Sequence, residues 1–274
     1  MTWTTLDHPD AMDTMAMGID GNRIVGQYMD STGAYSHGFL YQNGTWQDLD
    51  YPGAIETLPT GISGNRIVGT YQVTLGESMS FLYEGGSWST FQKPGAAKTW
   101  ASDIDGNSIA GTFVDAGGRQ GFIYNGSSWL TFSSPDYAYT MIDGFDGTNA
   151  VGVSYDTAGG PNHGYSPDMG ILDYPGANST LLTGIDGTMI VGTYWNADRV
   201  NHGLLYDGDL FYPIDFPGAT ATYIEDISGN KIVGSYYDGS GLHGFVATIV
   251  PEPSSIALSI SGLIGLWAYQ RKKL

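Results

Sequence analysis

Three observations predict an all-β fold, a six-bladed β-propeller built from four-stranded repeats of about 42 residues. One nonapeptide recurs six times, two further signatures follow it in fixed order, and the composition is that of short strands joined by tight turns. The nonapeptide reads GIDGNRIVG at Gly18–Gly26, GISGNRIVG at Gly61–Gly69 and DIDGNSIAG at Asp103–Gly111. It returns as GFDGTNAVG at Gly144–Gly152, GIDGTMIVG at Gly184–Gly192 and DISGNKIVG at Asp226–Gly234. Successive copies start 43, 42, 41, 40 and 42 residues apart. With 41 glycines, 19 tyrosines and only 14% charged residues in 274, the chain has the profile of strands and turns rather than helices.

The elements of a unit follow from the second copy. A strand around Thr57–Ile62 meets a Ser63-Gly64-Asn65 turn, whose Gly and Asn suit the positive φ of a two-residue hairpin. Arg66–Gln72 returns as a second strand and Met79–Tyr83 is the third. Gly85-Gly86 turns the chain, and Trp88–Gln92 is the fourth strand, ended by Pro94-Gly95. In the other units the third strand carries His37–Tyr41, Gln120–Tyr124, His163–Pro167, His202–Tyr206 and His243–Ala247. A Pro-Gly-Ala turn closes most units, as in Leu49–Ala54, Leu172–Ala177 and Ile214–Ala219.

The last unit stops after its third strand, whereas Trp3–Pro9 at the N-terminus matches the fourth strand of the other units. The N-terminal strand is therefore expected to complete the last blade, closing the ring without an open sheet edge. The repeats would fill residues 1–249 as one domain.

Charge and composition narrow the function. The formal net charge is -18, and before Pro251 the chain holds 27 acids against 7 bases. That excess disfavours nucleic acid, because little is available to replace counterions along a phosphate backbone. With no cysteine, disulfides and thiolate metal sites are excluded. No nucleophile elbow, His-Glu-x-x-His pair or phosphate-cradling glycine loop occurs, so a non-catalytic protein without a cofactor is expected.

Three sets of residues are candidates for binding. His37, His163, His202 and His243 share one repeat position, with Met79 and Gln120 in the other two units. They either form a partial ring around the channel that could take a metal or an anion, or are bonded within their own blades. The acidic turns at Asp20-Gly21-Asn22, Asp103–Asn107 and Asp186-Gly187-Thr188 echo oxygen-rich calcium loops, and equally suit plain hairpins. Trp3, Trp46, Trp88 and Trp129 recur on the fourth strand and read as blade packing. Trp100 and Trp195 stand apart from that position, closer to loops, where they could stack on sugar rings.

The Gly-Ile-Asp…Ile-Val-Gly element followed by His-Gly-Phe-Leu-Tyr resembles the extracellular repeat family named for its His-Ala-Phe signature. Here glycine replaces the alanine at Gly38, Gly164, Gly203 and Gly244. The resemblance spans residues 1 to about 248 and implies an exported repeat protein.

Past the repeats, residues 250–255 hold Pro251-Glu252-Pro253 and a short spacer. Residues 256–274 hold an apolar stretch, Ile256–Tyr269, and then Arg271-Lys272-Lys273. A fourteen-residue stretch falls short of the roughly 20 that span a bilayer core, yet a short membrane helix with a cytoplasmic basic end is expected. The order of motif, apolar run and basic end is similar to the PEP-CTERM tails of Gram-negative bacteria that make exopolysaccharide. It implies recognition by an exosortase-type membrane protease, passage through the inner membrane, and delivery to the cell surface or matrix. Such proteins are exported, while Met1–Pro9 has neither a basic start nor an apolar run, so a leader is expected ahead of the given sequence. Two functions fit: a surface or matrix protein that adheres to exopolysaccharide, and a propeller-fold hydrolase or lyase acting on glycans.

Overall fold

The computed structural model describes residues 1–156 and 160–250. Within them lie 24 strands and no helix, arranged as six four-stranded antiparallel sheets. Pro251, Glu252, Pro253, Arg271, Lys272, Lys273 and the expected membrane helix lie outside the described residues.

Each sheet is one repeat read outward from the axis. In the first blade the order is Ala11–Asp20, Arg23–Asp30, Ser36–Gln42 and Thr45–Asp48. The second blade runs Glu56–Ser63, Arg66–Gln72, Ser78–Glu84 and Ser87–Phe91, within a residue or two of the strands expected from the sequence. The innermost strands of blades 3 to 6 are Lys98–Asp105, Tyr139–Phe145, Ser179–Asp186 and Ala221–Ser228. Consecutive innermost strands touch around a closed ring, the sixth against the first.

The ring closes as the sequence implies. Thr2–Thr5 forms the outer strand of blade 6, pairing Thr2 with Thr248 and Thr5 with Phe245. The Leu6 N–H then donates to the Gly244 carbonyl at 2.8 Å. Trp3 packs edge-on against Phe245 and Phe216, completing the apolar layer of the last blade.

The Ile-Val-Gly triplet explains why the repeat is so regular. Neighbouring residues of a strand point to opposite faces, so Ile24 joins the core of its own blade while Val25 packs into the core of the next. The same exchange places Val68 in blade 3, Ala110 in blade 4, Val151 in blade 5, Val191 in blade 6 and Val233 in blade 1. The glycine that follows faces a β-bulge in the innermost strand, where the register shifts between Ala16 and Gly18 and at the equivalent place in every blade. A Cβ on Gly26 would run into the Met15 carbonyl oxygen, so only glycine lets the two strands meet.

One buried threonine per blade fixes the linker that enters it. The N–H groups of His8, Tyr51, Lys93, Ser134, Tyr174 and Phe216 donate to the hydroxyls of Thr14, Thr57, Thr99, Thr140, Thr180 and Thr222, at 2.8–3.1 Å. The linker side chains then pair with the second strand of that blade. His8 stacks on Tyr28, Tyr51 on Tyr71, Tyr174 on Tyr194 and Phe216 on Tyr236, with ring centroids 3.7–3.8 Å apart. Blade 3 substitutes Lys93 over Phe113, at 4.2 Å.

The Thr180→Val substitution keeps the shape of a 0%-exposed side chain and strands the Tyr174 N–H. A loss of about 1–3 kcal/mol is expected, read as a lower denaturation midpoint, with Thr180→Ser recovering most of it.

Candidate functional site

Strand alternation sends two residues of each innermost strand toward the axis. Those nearer the linkers are Met15, Leu58, Trp100, Met141, Leu181 and Tyr223; two residues further on come Met17, Thr60, Ser102, Asp143, Thr183 and Glu225. The second tier walls an axial cavity of about 280 Å³, which Asp103 and Asp226 also line. Because blades three apart face each other in a six-membered ring, Met15 opposes Met141, Leu58 opposes Leu181 and Trp100 opposes Tyr223. In the second tier Thr60 opposes Thr183, while Asp143 stands opposite Met17 and Glu225 opposite Ser102. These two acids break the likeness between halves of the ring.

Their environment disfavours ionisation. Burial in the channel pushes the Asp143 carboxyl up to about 7, the Arg119 guanidinium acting in the other direction. Burial, followed by the charges of Asp143 and Asp226, pushes Glu225 up to about 8. Asp226 is raised to about 7 by burial, although the N–H groups of Ile19 and Ile227 donate to it. Asp103 is raised by burial and by Asp226, and bridges Ile104 of its own blade to Phe145 of the next.

The acidic turns serve the seams between blades. Asp20 accepts the Gly64 N–H, Ser63 that of Gly106, Asp146 that of Gly187, Asp186 that of Gly229 and Ser228 that of Gly21, at 2.5–3.2 Å. Each side chain thus caps the hairpin of the following blade. One oxygen each of Asp20 and Asp186, and both of Asp103, accept backbone N–H groups, which gives the acidic turns a structural role at the seams.

The four histidines do not ring the channel. They sit on the third strands, where His37 meets Asp50, His163 Asp173, His202 Asp215 and His243 Asp7, at 2.7–2.9 Å. The other carboxylate oxygen accepts the next backbone N–H in three of them, at Gly38, Gly164 and Gly203. Where Met79 and Gln120 replace the histidine, Gln92 and Ser133 replace the aspartate. The pair is kept or lost as a unit, which marks it as a clasp within the blade.

Trp3, Trp46, Trp88 and Trp129 pack on the aromatic residues of the third strands. Trp100 lies not at a loop but within an innermost strand, facing the channel, with the Arg119 guanidinium 5.2 Å from its ring centre. Arg119 also donates to the Tyr155 hydroxyl at 2.7 Å. Trp195 ends the second strand of blade 5 and lines a surface cleft of about 650 Å³ on the linker face, with Asn178, Asn196, Arg199, Asn201 and Pro161. An indole face beside amides and a guanidinium can stack on a sugar ring and bond its hydroxyls. Sequence reasoning missed Asp143 and Glu225, whose signal was their departure from Met, Thr or Ser at one repeat position.

No family model matches the chain, and no curated protein matches it. Among solved structures, a Trypanosoma rangeli sialidase superposes with a TM-score of 0.50 at 9% identity, over 94% of this chain and 57% of its own. The chain thus spans a little over half of that sialidase. The β-propeller domain of the Trilobed protease from Pyrococcus furiosus gives 0.50 at 13% identity, over 88% of this chain and 82% of the domain. The SapL1 lectin, solved with alpha methyl fucoside, gives 0.49 at 14% identity, over 89% and 98%. At these identities the two superpositions at 0.50 establish the propeller fold alone.

A carboxyl whose affinity for protons rises on folding contributes stability below the ordinary carboxylate range, and loses it as pH climbs through its raised value. Thermal midpoints should therefore fall by several degrees between about pH 5 and about pH 9. Asp143→Asn with Glu225→Gln should flatten that slope relative to the parent chain.

Proposed function

We propose that the chain is an exported surface or matrix protein that binds extracellular polysaccharide through the linker face of its propeller, without cleaving it. The observation that carries this reading is the Trp195 cleft, which combines an aromatic face, three asparagine amides and the Arg199 guanidinium in about 650 Å³. Aromatic stacking with a few converging polar groups suits a polyhydroxylated ring better than an apolar ligand. Trp100 and Arg119 give a second indole and guanidinium at the channel mouth, on the same side of the ring.

The tail supplies the location. Pro251-Glu252-Pro253, the apolar run and Arg271-Lys272-Lys273 fit a sorting signal of the PEP-CTERM type, read by an exosortase, that carries the propeller to the surface or matrix. Expression behind a functional leader should give a product shortened near Pro253 only in a host that has an exosortase, as measured by mass spectrometry.

A glycan hydrolase or lyase is the second reading, favoured by the two channel carboxyls with raised proton affinity. It requires release of new reducing ends from polysaccharide and loss of that release in Glu225→Gln.

Retention of the full chain on immobilised matrix polysaccharide should weaken about tenfold in Trp195→Ala, with unchanged circular dichroism. Equal retention of parent and variant would remove the cleft from the account.

A further inference from the structure

We propose that the axial cavity is a pocket for a sugar residue bearing a free ammonium, an amino sugar whose nitrogen is not acylated. This rests on the polysaccharide reading and names the sugar class the channel would select. The cavity presents three kinds of wall to one small ligand. Met17, Met141 and Leu181 are apolar, Thr60, Ser102 and Thr183 carry hydroxyls, and Asp143 and Glu225 carry carboxyls. A pyranose ring with one ammonium has the matching inventory: an apolar ring face, several hydroxyls and one cationic donor.

The carboxyls are uncommitted. Asp103 and Asp226 each accept two backbone N–H groups, whereas only burial and neighbouring charges act on Asp143 and Glu225. A second unspent group lies next door. The Thr112 hydroxyl, on a side chain only 2% exposed, makes no hydrogen bond and lines a pocket of about 300 Å³ that shares Thr60, Ser102 and Met141 with the cavity. Buried polar groups are normally satisfied, so two carboxyls left without a hydrogen-bond partner in one cavity mark a place built for a polar occupant.

Charge decides the class of occupant. The two acids are faced by Asp103 and Asp226 from below, with Asp20, Asp105 and Asp186 beyond them at the hairpin mouth. On the linker side Arg119 is engaged by Trp100 and Tyr155, and Lys98 also lies over Trp100. An anionic ligand would meet a negative wall, and a neutral sugar would offer the carboxyls hydroxyl hydrogen bonds but no opposite charge. Among the described residues no three His, Asp or Glu side chains come together to hold a metal ion, which favours an organic cation. Its ammonium would form charge-assisted hydrogen bonds with the carboxylates and drive off the protons they hold at neutral pH.

The test is calorimetric titration of the full chain in mild detergent, near pH 7, with glucosamine, N-acetylglucosamine and glucose, each in two buffers of different ionisation enthalpy. Glucosamine should bind at least about tenfold more tightly than the other two and release protons. Asp143→Asn and Glu225→Gln should each erase that preference, with thermal midpoints showing both variants folded. Equal affinities for the three sugars, binding without proton release, or displacement of glucosamine by calcium chloride would each overturn the proposal. Retention on polysaccharide is read separately. A chain retained by the polymer yet blind to the free amine refutes the pocket and leaves the polysaccharide reading intact, and selective glucosamine binding without polymer retention does the reverse.

Discussion

Every blade leaves one apolar face of its second strand, valine in five blades and Ala110 in the other, bare until the next blade covers it. Val25 belongs to the core of blade 2 and Val233 to the core of blade 1, so no blade holds a complete core of its own. A row of such blades would always end on one uncovered apolar face, and burial of a single valine is worth about 1.5–3 kcal/mol. Closing the row into a ring removes the bare face at no cost in new residues. The N-terminal strand does the same for the backbone, by satisfying the outer edge of Leu242–Thr248. From this closure follow the channel, the seams and the two faces on which ligands can be met.

The most regular repeat positions serve the frame. The six linker threonines join each linker to the blade it enters, the bulge-facing glycines seat the two inner strands of each blade together, and turn Asp or Ser side chains of five blades cap the hairpin of the next. The proposed binding groups stand where the pattern lapses. Asp143 and Glu225 stand where other blades carry Met, Thr or Ser, and Trp195 ends a strand whose counterparts in blades 1 and 2 are Met29 and Gln72. A ligand therefore meets an asymmetric surface on a nearly symmetric frame, with the acids confined to the C-terminal half of the ring.

Blade number, strand limits and the closing strand were legible in the sequence because each rests on periodicity, which repeats the same evidence six times. The histidine clasp was half legible. The position of His37 was evident, but its partner Asp50 lies 13 residues away and is recognised only when the pair is seen to vanish together at Gln120 and Ser133. The linker threonines escaped notice because threonine is ordinary in strands and its role appears only through a hydrogen bond across a turn. Trp100 is expected nearer a loop, whereas the innermost strand begins at Lys98 and carries it into the channel wall. The acids of the channel were hidden among 28, and only their facing direction separates them from the rest.

On the proposed reading, polysaccharide meets the linker face of the propeller, with the channel mouth at its centre. Hydrogen exchange of the full chain with and without matrix polysaccharide tests it most directly. Slowed exchange is expected in 160–161, 195–201 and 98–102, with the hairpins at 20–23, 63–66 and 186–189 unchanged. Protection confined to those hairpins, or none anywhere on the propeller, would contradict the account.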